Sequence, residues 1–242
     1  MCKQVIFIRT RLESQPMCLQ PRHCIATSLL LAYAAFAPAL HAAPATYALD
    51  PVHTRVAFAV EHAGFSQAIG TVSGSTGQLR FDPDDWRSAQ LQVSVPLERV
   101  DLGDEKWNAS VLAGNLLDVA RFPSASFVST RIEPINARRA TVFGNLSLRG
   151  VTREVALEVN FNVLKRHPLP PFRRTAGFSA TTVISRADFG ISAWKSMIGD
   201  RVELRMEVEA ILDRGGEMIE PAAAAPAPDA AEPPAAPEPT PP

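Results

Sequence analysis

The sequence predicts an all-β protein, an antiparallel meander of about eight strands with one short helix. Three observations predict it. Apolar and polar residues alternate with a period of two along most of the central chain, turn chemistry fills the intervals between those runs, and a single segment switches to helical spacing. Closing the meander into a barrel would remove its exposed edges. Alternation by itself does not separate a barrel with a ligand cavity from a packed sandwich.

In chain order, the first run places Val52, Thr54, Val56, Phe58 and Val60 on one side of a strand. Leu79–Phe81 and Leu91–Val95 follow, separated by the turn sequence Asp82-Pro83-Asp84-Asp85. Between Asp104 and Val119 the period changes: Trp107, Val111, Leu112 and Leu116 recur at helical spacings, and Asp104 is available as an N-cap. This segment is expected to be a helix lying across a barrel mouth. Strands resume at Phe127–Ile132 and Val142–Leu148, and Arg149-Gly150 supplies the next turn. Val155, Leu157, Val159, Phe161 and Val163 then alternate with Glu154, Ala156, Glu158, Asn160 and Asn162, which describes a strand with one wet face. Ala176, Phe178, Ala180, Thr182 and Ile184 repeat the pattern, as do Val202, Leu204, Met206 and Val208 set against Glu203, Arg205, Glu207 and Glu209.

Both ends differ from this core. From Arg22 the chain passes through an apolar stretch, Ile25 to Leu40, to the small residues Ala42, Ala43 and Ala45, the order of a secretory signal peptide. Pro38 breaks the apolar run, which is shorter than the roughly 20 residues of a spanning helix. The expectation is cleavage after Ala42 and a periplasmic mature protein; Met17 is a candidate start, because residues 1–16 add nothing to such a signal. Residues 43–220 form the expected barrel domain. Residues 221–242 are almost entirely Pro, Ala and acidic residues, too poor in apolar groups to repay the entropy of ordering, and read as a disordered tail. Such a tail could act as a spacer toward a membrane protein partner in the envelope.

Composition excludes several function classes. Lys and Arg number 24 against 25 Asp and Glu, and the two ends remove both signs equally, so the core lacks the basic excess of a nucleic-acid binder. All three cysteines, Cys2, Cys18 and Cys24, precede the expected cleavage point, so the mature chain is left without disulfide, cysteine-ligated zinc or thiol nucleophile. His53 and His62, nine positions apart on one predicted strand, face opposite sides because the separation is odd, and share no metal unless a bulge intervenes; His53 suits a local hydrogen bond and His62 a polar place near a cavity. His167 falls in a Pro-rich loop and is expected to be exposed. There is no Gly-x-Ser-x-Gly elbow or glycine-rich phosphate loop, and Gly144-Asn145-Leu146-Ser147 sits in a strand without the sharp turn a nucleophile needs. The expectation is a binding protein without catalytic residues, bound metal or cofactor.

Five motifs carry a resemblance. The stretch from Tyr47 through Asp50-Pro51-Val52-His53-Thr54 to Phe65 comes first, then Phe122-Pro123-Ser124-Ala125-Ser126-Phe127 and Gly144 to Thr152. Ser185-Arg186-Ala187-Asp188-Phe189-Gly190 and Ile198-Gly199-Asp200-Arg201-Val202 follow. In this order they resemble the YceI-like family over nearly the whole core. The resemblance implies a lipocalin-like antiparallel barrel, exported to the periplasm, whose apolar cavity holds a polyisoprenoid or similar amphiphile, in some members a quinone. An envelope interaction module is the competing function; as a carrier the chain would be a monomer or a homodimer. The residues expected to line the cavity are Phe58, Val60, Leu146, Leu157, Phe161, Phe178 and Met206, with Trp107, Leu112 and Leu116 near the mouth. The run Trp107 to Val119 lacks the charged half usual in the family, which implies a different preferred headgroup.

Overall fold

The computed structural model describes residues 44–215. The expected signal sequence at 1–42, the candidate start Met17, the three cysteines and the tail at 221–242 lie outside the described residues.

All strand pairing is antiparallel, and the sheet closes on itself. β1 (Ala45–Leu49) and β2 (Arg55–His62) are two halves of one bent strand. Both halves pair with β11 (Ile198–Leu212), Leu49 opposite Ala210 and Phe58 opposite Leu204. β3 (Ser66–Ser73) and β4 (Thr76–Phe81) form a second bent strand along them, β3 on β2 and β4 on β1. β5 (Gln90–Pro96) and β6 (Val100–Asp101) form a third. Four long strands complete the wall: β7 (Ser124–Asn136), β8 (Arg139–Leu148), β9 (Val151–Arg166) and β10 (Arg174–Ser185), ending against β11. Bent strands counted once, this is a closed barrel of eight antiparallel strands, in which only the two-residue β6, paired with β3 alone, has a single partner among the described strands. The helix α1 (Glu105–Leu112) and the chain after it connect β6 to β7 at one end.

The first bend is pinned by side chains. Asp50 Oδ1 accepts from the Val52 N–H (2.8 Å), its Oδ2 meets His53 Nδ1 (2.8 Å), and Thr54 N–H donates to the Asp50 carbonyl (2.9 Å). Val52 and Thr54 therefore belong to a turn, not to the strand that alternation predicts: Val52 is exposed, while Thr54 is buried and donates to the Glu209 carbonyl (3.4 Å).

Alternation places the inward set correctly until a bulge intervenes. On β9, Val155, Leu157, Val159 and Phe161 face inward, but Gly177 pairs with Val163 and Phe178 with Phe161, leaving Asn162 as an extra residue. One extra residue inverts the phase: Val163 turns outward, contrary to the sequence expectation, and Leu164 packs on the core. β3 had no expected counterpart because its inward residues are the small Ala68, Gly70 and Val72. Gly70 is required by the ring opposite it, since a Cβ there would lie 2.4 Å from Phe58 Cζ. The expected helix is also shorter than the periodic segment. Asp104 caps it, accepting from Lys106 and Trp107 N–H (both 3.0 Å), but after Leu112 the chain coils into turns in which Val119 N–H donates to Leu112 O (3.1 Å).

Two apolar clusters divide the interior. At the end where β1 begins and β11 ends, with the β4–β5 and β9–β10 connections, Phe81, Trp86, Phe161 and Phe178 pack with ring centroids 5.2–6.5 Å apart, mostly edge to face. This cluster closes the barrel. At the other end Leu116, Ile184, Phe189 and Ile191 form a collar beneath α1 and the β10–β11 loop.

Candidate functional site: an apolar cavity with a built mouth

Between the two clusters the barrel encloses a cavity of about 630 Å³. That volume lies within the range of about 300–1,000 Å³ of small-molecule sites. Its wall comes from the inward positions of almost every strand, with Val56, Phe58, Val93, Leu157, Leu204 and Met206 representative of its apolar lining. Polar groups gather mainly at one end: Glu61, His62, Ser110, Asn115 and Arg186 all border the mouth side, whereas the far floor is Phe81, Trp86 and Phe178. The result is a greasy tube with a polar rim, a shape that accepts an alkyl or prenyl chain and keeps a headgroup near water.

Eight of the ten residues expected from sequence to line the cavity stand on its wall: Phe58, Val60, Trp107, Leu116, Leu146, Leu157, Phe178 and Met206. Two do not. Phe161 stands behind the wall in the aromatic cluster, its ring 5.3 Å from Phe81 and 5.4 Å from Phe178. Leu112 ends α1 five positions after Trp107, about 140° around a helix of 3.6 residues per turn, while Trp107, Ser110 and Val111 share the cavity-facing stripe. Sequence reasoning missed Phe81 and Trp86. Phe81 ends a short strand, and Trp86 sits in a 3-10 turn where no periodicity reports its direction.

The mouth is held by two arginines that alternation cannot interpret. Arg186 is only 6% exposed, yet no carboxylate among the described residues forms an ion pair with it. Instead its guanidinium donates to four carbonyls: Nε to Gly199 (2.8 Å), Nη1 to Ile191 and Ala193 (both 2.9 Å) and Nη2 to Ile198 (2.8 Å). The fixed fork of donors thus ties the β10–β11 loop to the start of β11. Arg149, in the β8–β9 turn, donates to Gly190 O and Gly114 O (both 2.9 Å), joining that loop to the segment after α1. The turn itself, Arg149-Gly150, has positive φ at both residues (51° and 76°), the signature of a two-residue hairpin. Asp200 receives the Ala187 N–H (3.0 Å). Its carboxyl is held below the usual range by the Ser185 hydroxyl first, then by that N–H, with Arg186 adding a weaker attraction.

The histidines are placed as follows. His62 borders the cavity with its ring 5.5 Å from that of Trp107. His53 is outside the barrel, in the turn before β2 and not on the strand, so the opposite-face argument does not apply to it. Its imidazole, Asp50 and Glu209 have ligating atoms within 4.8 Å of one another, a grouping sequence spacing could not show because Glu209 comes from β11. Asp50 and His53 are joined by a hydrogen bond, and Glu209 adds its charge to the group. The Asp50 interaction raises the His53 pKa; burial works upward on Asp50, but bonds from His53 and two backbone N–H groups outweigh it and hold that carboxyl low. His167 is half-buried rather than exposed, and accepts from Leu169 N–H (3.2 Å).

The comparisons with known proteins agree with this architecture. The family model described as YceI-like domain matches residues 47–210. A UPF0312 protein of Yersinia enterocolitica is 31% identical over 172 residues, 70% of this chain and 88% of that protein. One from Shewanella sp. strain ANA-3 is 29% identical over 172 residues, 70% and 89% of the respective chains. Among solved structures, Burkholderia cenocepacia BcnA superposes with TM-score 0.60 at 23% identity, covering 66% of this chain and 98% of that one. A Campylobacter jejuni YceI protein gives 0.57 at 20%, covering 62% and 87%. A domain from Saccharophagus degradans, described as polyisoprenoid binding, gives 0.54 at 14%, covering 70% and 99%. With a closed eight-stranded barrel, the family's domain matched across its wall and relatives aligned over most of their length, the chain belongs to the YceI-like family.

Proposed function

We propose that this protein is a periplasmic carrier or sequestering protein for a polyisoprenoid or similar amphiphilic lipid, an isoprenoid quinone among the candidates, and not an enzyme. The observation that carries the reading is the cavity of about 630 Å³ with an apolar wall and its polar groups mainly at one end. Family membership and the structural neighbour described as polyisoprenoid binding support the ligand class. Export rests on the signal-like sequence of residues 1–42.

Affinity in such a tube comes from apolar burial, about 0.8 kcal/mol per methylene. Since 1.4 kcal/mol is tenfold in Kd, affinity should climb roughly tenfold for every two methylenes until the tube is full. The test is displacement of a fluorescent apolar probe by prenyl alcohols of increasing length. A steep rise followed by a plateau is expected; affinity indifferent to chain length would overturn the reading.

A further inference from the structure

The apolar surface does not stop at the cavity. Phe65 is 91% exposed, Trp194 59%, Trp107 45% and Met197 43%, and three of these four, Trp107, Trp194 and Met197, also line the cavity. They come from three separate segments that touch one another. Ala63 N–H, in the β2–β3 turn, donates to the Met197 carbonyl (2.6 Å), the His62 ring meets Trp107 at 5.5 Å, and Phe65 N–H returns to His62 O (3.0 Å). Trp194 is held with φ at +59°, in the left-handed region, while its carbonyl accepts from Met197 and Ile198 N–H (both 2.9 Å). The fold thus maintains a large aromatic side chain in solvent at a backbone conformation it would not adopt freely.

Lys106 precedes Trp107 and Lys195 follows Trp194, both exposed, and Glu61 and Glu105 bring negative charge to the same rim. Aromatic rings flanked by lysine suit the level of a bilayer where acyl chains meet headgroups, and a rim of both signs suits zwitterionic and anionic lipids together. A protein partner would need a surface matched to this one. A bilayer needs only the continuity already present: Trp107, Trp194 and Met197 line the cavity and also stand exposed at its mouth.

We infer that the mouth rim, Phe65, Trp107, Trp194 and Met197, is a membrane-docking surface that seats the open end of the barrel on a phospholipid bilayer. The inference rests on the carrier reading for its purpose, and the two are separated by experiment. The protein, purified without detergent, is sedimented with phosphatidylcholine vesicles, with and without phosphatidylglycerol, and its tryptophan emission is read against lipids brominated in their acyl chains. Uptake of a prenyl alcohol is measured in parallel without vesicles.

Wild type is expected to sediment, with Trp107 and Trp194 quenched and Trp86, at the closed end, spared. Phe65→Asp, at a position outside the cavity wall, should lower vesicle partitioning at least tenfold and leave prenyl alcohol uptake unchanged. Lys195→Glu should weaken binding about five-fold on anionic vesicles, with little change on neutral ones. Uptake without sedimentation overturns the docking surface alone; sedimentation without uptake overturns the carrier reading and leaves the surface. Sedimentation unaffected by Phe65→Asp, or a solution dimer that Phe65→Asp dissociates, also overturns the docking surface, the dimer assigning the face to a second copy.

Discussion

Replacing Arg186 by Met should loosen the barrel mouth at a cost of about 3 kcal/mol. The guanidinium is buried, and its four bonds to Gly199, Ile191, Ala193 and Ile198 carbonyls are all 2.8–2.9 Å. Hydrogen bonds from a charged donor contribute about 1.5–3 kcal/mol each, but the sum does not apply. Removing the cation also removes its desolvation cost, and carbonyls at an open mouth regain water once the loop parts. Met fills the volume, which leaves the lost donors as the main term. With a urea slope of about 2 kcal/mol/M, 3 kcal/mol lowers the unfolding midpoint by roughly 1.5 M. Hydrogen exchange should accelerate in residues 187–198 before it does in β8 and β9. Arg186→Lys should recover less than half, because a point charge cannot reach four carbonyls in fixed directions. A midpoint shift below roughly 0.3 M, or a full rescue by Lys, would refute the claim that the donor fork builds the mouth.

Phe58→Asp places a carboxylate on the cavity wall beside Gly70, and should weaken prenyl alcohol binding at least tenfold while the circular dichroism of the barrel persists; unchanged binding would remove Phe58 from the site. The Asp50–His53 pair gives a pH dependence of known sign. The raised His53 pKa contributes stability fully present below about 6.5 and lost as pH rises through the folded value, while the lowered Asp50 pKa contributes stability present above its ordinary 3.8 and lost as pH falls through its folded value. Relative to His53→Gln, wild type should therefore gain more stability at pH 5.5 than at pH 8.5 in urea titrations, and parallel pH profiles would count against the pairing. Ser75 is fully buried and its hydroxyl meets no hydrogen-bond partner among the described residues, so Ser75→Ala should raise stability by about 1 kcal/mol, with a loss of stability by the same assay as the contrary result.

Much of the wall was legible because a barrel strand has one apolar and one wet face, and the inward residues of β9 up to Phe161 and of β11 are large enough to show it. β3 was illegible because Gly70 must be small to admit the Phe58 ring, so packing erased the pattern that would have revealed the strand. Val163 was misplaced for a different reason: a bulge is a property of the pairing of two strands, and Asn162 carries no local mark of it. The motifs behind the family resemblance were visible as words without a physical reading. In the structure Arg149, Arg186 and Asp200 build the mouth, and Asp50 and His53 pin the bend between β1 and β2, roles that depend on carbonyls and neighbours distant in sequence. Phe161 and Leu112 show the limit of counting apolar positions. Facing inward does not say whether a side chain meets the cavity or another side chain, which only the closed geometry of the aromatic cluster and the phase of α1 determine.

The most direct test of lipid carriage is native mass spectrometry, joined to organic extraction, of protein purified from the producing cells without detergent. A discrete adduct that extraction resolves to a prenyl lipid or quinone, absent from Phe58→Asp, is expected. A clean unliganded mass, unchanged when isoprenoids are added, would contradict it.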